Sequence, residues 1–198
     1  AEEWWKKYNV NKKNIKRFCF IGYFNSMYDF SIVKLLALRF LQEGINCQFV
    51  LCGSGGNAYE NLQKLFLGID NVIFPGWIDS PKIEFLSKCC SGYIMPYKNI
   101  ENFKLNITNK VADSLSYGLP IITTLEGKLK DLIDEYEVGF SSPDNRQDKF
   151  YNFARILLED NKVRQKFSEN AKNLYNSKFD SKKVYSDLVI GLEKLSNI

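Results

Sequence analysis

Apolar and polar positions along the chain alternate between short, dense apolar runs and longer stretches with helical spacing. Residues 17–23 (Arg-Phe-Cys-Phe-Ile-Gly-Tyr), 47–52, 71–74, 91–95, 119–123 and 138–141 are compact runs of strand length. Nearly continuous apolar runs of this kind suit strands covered on both faces. Segments of helical length separate them, and residues 147–158, 161–176 and 181–196 read as three consecutive helices after Asn145. Strands alternating with helices of ten or more residues predict a Rossmann-like, doubly wound parallel α/β sheet of about six strands with C-terminal helices. The helix over 29–43 is apolar nearly all round, which predicts packing on several sides. That over 181–196 sets Val184, Leu188, Leu192 and Leu195 on one stripe.

Turn chemistry marks the boundaries. Asp29 is placed to cap the first long helix and Gly44 to end it; Asp79 or Ser80 caps another, with Pro81 at its first position. Gly53-Ser54-Gly55-Gly56 joins the second strand to the next helix. These glycines suit either a tight turn or a phosphate approach, because their spacing is not G-x-G-x-x-G.

The stretch 106–123 organises the rest. Thr108 or Asn109 is expected to cap a short helix by accepting from an orphaned N–H, and Gly118 ends it before the buried run that Pro120 opens. Lys110 sits in the first turn, with Asp113 three residues on and on the same face. A helix mouth with a cation and a carboxylate suits a sugar nucleotide, with the lysine at the pyrophosphate and the carboxylate on the ribose hydroxyls. A capped helix carrying two solvated charges is the plainer reading of the same residues.

Composition narrows the chemistry. The chain has 198 residues, enough for one well-packed domain. Its net charge of +4 is modest; Lys12, Lys13, Lys16 and Arg17 make the one dense basic run, read as a solvated approach to the first strand, and no nucleic-acid partner is expected. Five cysteines lack C-x-x-C spacing and read as small buried hydrophobes of a reducing, cytoplasmic protein. No histidine is present, so His-based triads, general bases and metal sites are excluded within these residues. No Asp-x-Asp pair offers a clamp for a divalent cation, and no metal or cofactor is expected. No apolar run reaches the ~18 residues of a membrane span. The Trp-rich helical stretch 1–8 resembles neither a signal peptide nor a natural start, which points to a fragment.

In a doubly wound sheet, ligands bind beyond the carboxyl ends of the strands. Gly22, Tyr23, Asn25, Gly53, Trp77, Ile78, Tyr97, Thr108, Asn109, Lys110 and Asp113 all fall at that edge. For Trp77 two readings stand: a ring beside a ligand, or a core aromatic.

The series Phe20-Ile-Gly, Val50-Leu-Cys-Gly-Ser-Gly, Val72-Ile-Phe-Pro-Gly-Trp-Ile, Tyr93-Ile-Met-Pro-Tyr and Asn109-Lys-Val-Ala-Asp-Ser-Leu-Ser-Tyr-Gly-Leu-Pro-Ile-Ile resembles the group 1 glycosyltransferases, retaining enzymes of GT-B architecture. The resemblance covers nearly all of the chain, but only that family's C-terminal, donor-binding domain. It implies a single domain over 1–198, an acceptor-binding domain outside this chain, and a last helix that crosses back to it. Asp113 stands where the family has the glutamate that binds ribose. Asn109 and Lys110 resemble the Asn-Lys pair of relatives that build bacterial surface polysaccharides such as O-antigen. Trp77 and Ile78 match the loop that reads the base, and Gly22 the glycine that approaches the phosphates. The resemblance departs at two places: residues 23–28 lack the family's arginine and lysine, and position 105 is Leu where the first glutamate of Glu-x7-Glu belongs. Glu101 is a substitute from the neighbouring loop.

The resemblance implies transfer of a sugar from a UDP-sugar to a glycan or lipid-linked glycan, with Lys110 and Asp113 in the catalytic site and peripheral association of the whole enzyme with the inner face of the membrane. This chain alone is expected to bind nucleotide without turnover. Two rivals are a nucleotide-sugar epimerase, which the absence of histidine disfavours, and a non-catalytic nucleotide-binding module with a decayed site.

Overall fold

The structure, a computed structural model, describes residues 1–143 and 146–196. Asn145 and the side chain of Leu195, on which two of the expectations rest, lie outside the described residues. Six parallel strands form one sheet in the order β3-β2-β1-β4-β5-β6, where β1 is Lys16–Tyr23, β2 Cys47–Ser54, β3 Val72–Gly76, β4 Gly92–Met95, β5 Ile121–Thr123 and β6 Gly139–Ser141. The chain steps outward from β1 to β3, then returns to the other side of β1 for β4. That reversal makes a topological switch point between β1 and β4, where a crevice opens at the carboxyl ends of the strands.

The helices are α1 (Glu2–Lys6), α2 (Ser31–Gln42), α3 (Asn57–Leu65), α4 (Ser80–Cys89), α5 (Glu101–Lys104), α6 (Asn109–Ser116), α7 (Lys128–Tyr136), α8 (Gln147–Glu159), α9 (Asn161–Leu174) and α10 (Ser181–Ser196). A π-turn over Tyr175–Phe179 separates the last two, so the helix expected to run to residue 176 changes geometry at Tyr175. One cap differs from expectation, and at another the expected Asp79 caps but the proline stands one position later. Phe30 is the N-cap of α2, and Asp29 instead accepts from the Ser31 N–H at 3.0 Å. At α4, Asp79 caps by accepting from the Lys82 N–H at 3.2 Å, which leaves Pro81 at the second helical position.

Phe18, Phe20, Phe49, Val50 and Leu51 are fully or almost fully buried on the central strands, each contributing about 1.5–3 kcal/mol of transfer free energy. Helix α2 is covered on one side only. It buries Ile32, Val33, Leu36, Ala37 and Phe40 against β2 and α8, while Leu35 and Leu41 on its outer face remain exposed.

The basic run before β1 also departs from a simple solvated approach. Arg17 is 1% exposed. Its guanidinium donates to the carbonyls of Asn9, Lys12 and Ile15 and to the side chain of Gln48, so the turn-rich segment before β1 is tied down from inside. Burial lowers its pKa, but a guanidinium with all these acceptors stays charged. Lys12, Lys13 and Lys16 are exposed, as expected. Of the cysteines, Cys19, Cys47 and Cys52 are buried and Cys89 and Cys90 partly so; all five are free thiols. Among the described residues no helix is long and apolar enough to cross a membrane.

Candidate nucleotide-binding site

The crevice is shaped first by backbone. A Cβ on Gly53 would lie 1.7 Å from the Gly22 carbonyl oxygen, and one on Gly55 would lie 2.4 Å from the Phe24 carbonyl oxygen. The ends of β1 and β2 therefore touch main chain to main chain, which only glycine allows. The loop after β1 turns inward because its aromatics are core. Phe20 meets the rings of Phe24, Tyr28 and Phe30 at 5.1, 4.9 and 5.1 Å, and Phe24 stacks on Tyr59 at 5.4 Å. Tyr28 pairs with Tyr97 in an antiparallel bridge across the switch point, flanked by Asp29 N–H to Pro96 O (2.8 Å) and Lys98 N–H to Met27 O (2.9 Å). The segments after β1 and β4 are thereby stitched together beneath the crevice.

Helix α6 ends as its sequence dictates. Gly118 takes φ +65°, its N–H bonds Leu115 O, the Leu119 N–H bonds Ser114 O, and the buried Ser114 hydroxyl donates to Leu119 O. This doubly closed C-terminus turns the chain straight into β5 and aims the other end of α6 at the crevice. The N-terminus differs from expectation. Thr108 is the N-cap residue by conformation, yet its hydroxyl makes no cap; it lies 2.7 Å from the Tyr97 hydroxyl instead. The N–H groups of Asn109 and Lys110 consequently meet no protein acceptor among the described residues. Asn109 itself is exposed.

Lys110 runs from this open mouth to Gly22. Its Nζ stands 1.9 Å from where a Cβ on Gly22 would be, so it occupies the space that glycine leaves, 5.6 Å above the Phe20 ring centroid. Burial pulls its pKa down, and the nearby Asp113 partly restores it. Asp113 keeps an exposed flank; partial burial of its carboxyl raises its pKa, and Lys110 opposes the rise. The two charges lie near one another on α6 without forming an ion pair within 4 Å.

A cavity of about 300 Å³ adjoins this mouth, lined by Gly22, Tyr23, Gly53, Trp77 and Ile78 together with Ser54 and Ile83. Trp77 is 72% exposed, which rules out the core reading, whereas Ile78 is buried. Ser54 and Ile83 are not among the sequence candidates. Ser54 lies between two glycines of the turn, a usable signal; Ile83 looks like any apolar helix residue. Two candidates stand apart from this cavity. Tyr97 is 2% exposed and lies under the crevice, reaching it only through Thr108. Asn25 accepts from the Met27 N–H at 3.0 Å and lines a neighbouring cavity of about 320 Å³ beside Lys98. Glu101 pairs with Lys104 at 3.2 Å in α5, a helix where the sequence predicts a loop; Leu105 beside it is exposed.

A parallel sheet of this order, with its crevice at the switch point, is a Rossmann-like architecture of the kind found in each half of a GT-B fold. The family model described as "Glycosyl transferases group 1" matches residues 2–174, and the chain belongs to that family. Among solved structures it resembles HepE of Anabaena in complex with UDP and glucose (TM-score 0.78, 16% identity, covering 100% of this chain and 52% of that one). It also resembles sucrose-phosphate synthase of Thermosynechococcus elongatus (0.75, 17%, 100% and 49%) and the C-terminal domain of LpcC from Francisella tularensis (0.66, 16%, 90% and 92%). The chain thus spans about half the length of HepE and of the synthase, and nearly all of the isolated LpcC domain. No curated protein matches it.

Proposed function

We propose that this chain is the donor-binding half of a retaining, metal-independent glycosyltransferase that moves a sugar from a UDP-sugar to a glycan or lipid-linked glycan acceptor. The observation that carries this reading is Lys110 seated on Gly22 beside two unpaired helix N–H groups. Transfer breaks the bond from the sugar carbon to the diphosphate, and negative charge grows on the departing oxygen. A fixed ammonium and two fixed N–H donors stabilise that charge without reorganising. One charge-assisted contact of this kind contributes about 1.5–3 kcal/mol. Asp113 accepts from the ribose hydroxyls. Trp77 packs on the base, Ile78 offers backbone to its edge, and Gly22, Tyr23 and Gly53 form the floor of the approach. The complexes of HepE with UDP and UDP-glucose support the choice of nucleotide. The acceptor site belongs to a second domain, and the whole enzyme acts in the cytoplasm on surface polysaccharides, at the inner face of the membrane when its acceptor is lipid-linked.

The test is thermal melting with UDP in the presence of a chelator, since a ligand of the native state raises the transition by mass action. A shift that needs added Mg²⁺ overturns the metal-free reading. No binding up to millimolar UDP makes the chain a module with a decayed site.

A further inference from the structure

A second cavity, of about 470 Å³, opens at the opposite end of the sheet, where the chain enters β1 and β4. Lys12, Lys13, Lys16, Lys88, Arg17 and Arg164 line it. Glu2 is the single carboxylate among its lining residues, so cations there outnumber anions by six to one. The thiols of Cys89 and Cys90, which also line it, are pushed up by burial and stay neutral, adding no compensating charge.

The six cations differ in how they are held. Arg17 is spent on carbonyls of the segment before β1, and Arg164 donates to Leu157 O and Asn161 Oδ1. Lys88 pairs with Glu84 at 2.6 Å. Lys12, Lys13 and Lys16 form no ion pair among the described residues; Lys12 and Lys13 stand on the segment that Arg17 fastens, and Lys16 opens β1. Three exposed lysines on a tied-down segment, none held in an ion pair, leave their charge available to a bound anion. The concavity has the volume usual for small-molecule sites.

We propose that this cavity is a second anion site, separate from the crevice, which takes a phosphate-bearing ligand through Lys12, Lys13 and Lys16. The shared chemistry is a phosphate or diphosphate group, carried either by a soluble compound or by a lipid headgroup.

Two measurements test it, each on the parent chain, on Lys110→Ala, and on the triple variant Lys12→Ala/Lys13→Ala/Lys16→Ala. The replaced lysines are exposed, so the triple variant is expected to fold with an unchanged melting temperature, which checks the fold. The first measurement is calorimetric titration with inorganic pyrophosphate at low salt. The Lys110→Ala chain is expected to keep a pyrophosphate site that the triple variant loses by about tenfold or more in affinity, the effect of removing charge-assisted contacts. The second is co-sedimentation with vesicles of phosphatidylcholine, alone or mixed equally with phosphatidylglycerol. Pyrophosphate binding that depends on the three lysines, with no sedimentation, assigns the site to a soluble phosphate compound. Lysine-dependent sedimentation with the anionic vesicles assigns it to a headgroup. If the triple variant retains what the parent binds, or if Lys110→Ala binds neither probe, the proposal is overturned. UDP titration of the triple variant separates this site from the crevice, because UDP binding is expected to survive there whatever the cavity does.

Discussion

The hydroxyls of Tyr97 and Thr108 lie 2.7 Å apart, and this contact keeps the threonine from capping the helix that it begins. A threonine at an N-cap normally contributes about 0.5–2 kcal/mol by accepting from the first turn. Thr108→Val is therefore expected to cost less than an ordinary cap deletion, with UDP affinity close to parental. Tyr97→Phe releases the threonine hydroxyl to turn onto the N–H groups that the proposed diphosphate needs. It is expected to weaken UDP several-fold while leaving uridine unchanged, and the double variant should recover UDP affinity. Parallel titrations of both ligands decide the matter; equal weakening of UDP and uridine by Tyr97→Phe would show that the tyrosine only holds the fold.

Gly22 and Gly53 are neighbours that both take positive φ, +155° and +145°, so a side chain strains the backbone at either, but what a Cβ would meet differs. A Cβ at Gly22 meets the flexible end of Lys110, which can swing away, whereas a Cβ at Gly53 meets a backbone carbonyl, which cannot. Gly22→Ala is expected to lower the melting temperature through backbone strain and to weaken UDP by about 1–3 kcal/mol, as Lys110→Ala does, since both unmake the same charged contact. The two changes combined should be far from additive. Gly53→Ala is expected to lower the melting temperature further, because its Cβ also meets a backbone carbonyl. Melting curves alongside calorimetry distinguish the two effects, and additive losses in the double variant would mean that Lys110 does not act through the space above Gly22.

The folded pKa of Lys110 lies below its ordinary value of 10.5, chiefly through burial. Below that folded pKa the ammonium is charged in both states, and its burial costs stability. Between the lowered pKa and 10.5 the unfolded chain binds more protons, so this group's contribution rises with pH. Lys110→Met is thus expected to raise the melting temperature at neutral pH by on the order of 2 °C while weakening UDP by about 1–3 kcal/mol, a trade familiar at functional sites. The gain over parent should shrink as pH approaches 10. A variant that melts lower than parent at pH 7 would show that the lysine is structural.

How far the sequence revealed all this depends on what each residue's signal was. Strand runs, the helix-to-strand turn at Gly118 and the edge positions were legible because each has a local cause: dense apolar runs, a left-handed glycine, switch-point topology. The burial of Arg17 was not, because a basic run looks solvated until three carbonyls from the preceding turn close around one member. The sequence predicts Thr108 as a cap because capping is the local choice. A buried tyrosine 11 residues earlier outbids the helix for that hydroxyl, and no local pattern announces it. The exposed flank of α2 escaped notice for the related reason that apolar content does not say which neighbours exist.

Trp77 separates a packing role from a binding role most directly. Its indole is 72% exposed, on a turn fixed by Pro75 and Gly76, and it borders the same cavity as Gly22 and Gly53. The other two tryptophans are poorly placed to report on that cavity. Trp5 is fully buried and donates to Lys82 O at 3.1 Å, and Trp4 packs edge-on against it. Any ligand-dependent change in tryptophan emission should therefore come from position 77. With UDP present, the parent is expected to show quenching or a blue shift as the base covers the exposed ring, since stacking removes solvent from one face. Trp77→Phe should lose that signal and, because phenylalanine still offers an apolar face, keep UDP affinity within about 1 kcal/mol, the scale of an aromatic pair beyond its buried area. Should the UDP-dependent signal persist undiminished in Trp77→Phe, the ring is not beside the base, and its exposure has some other use.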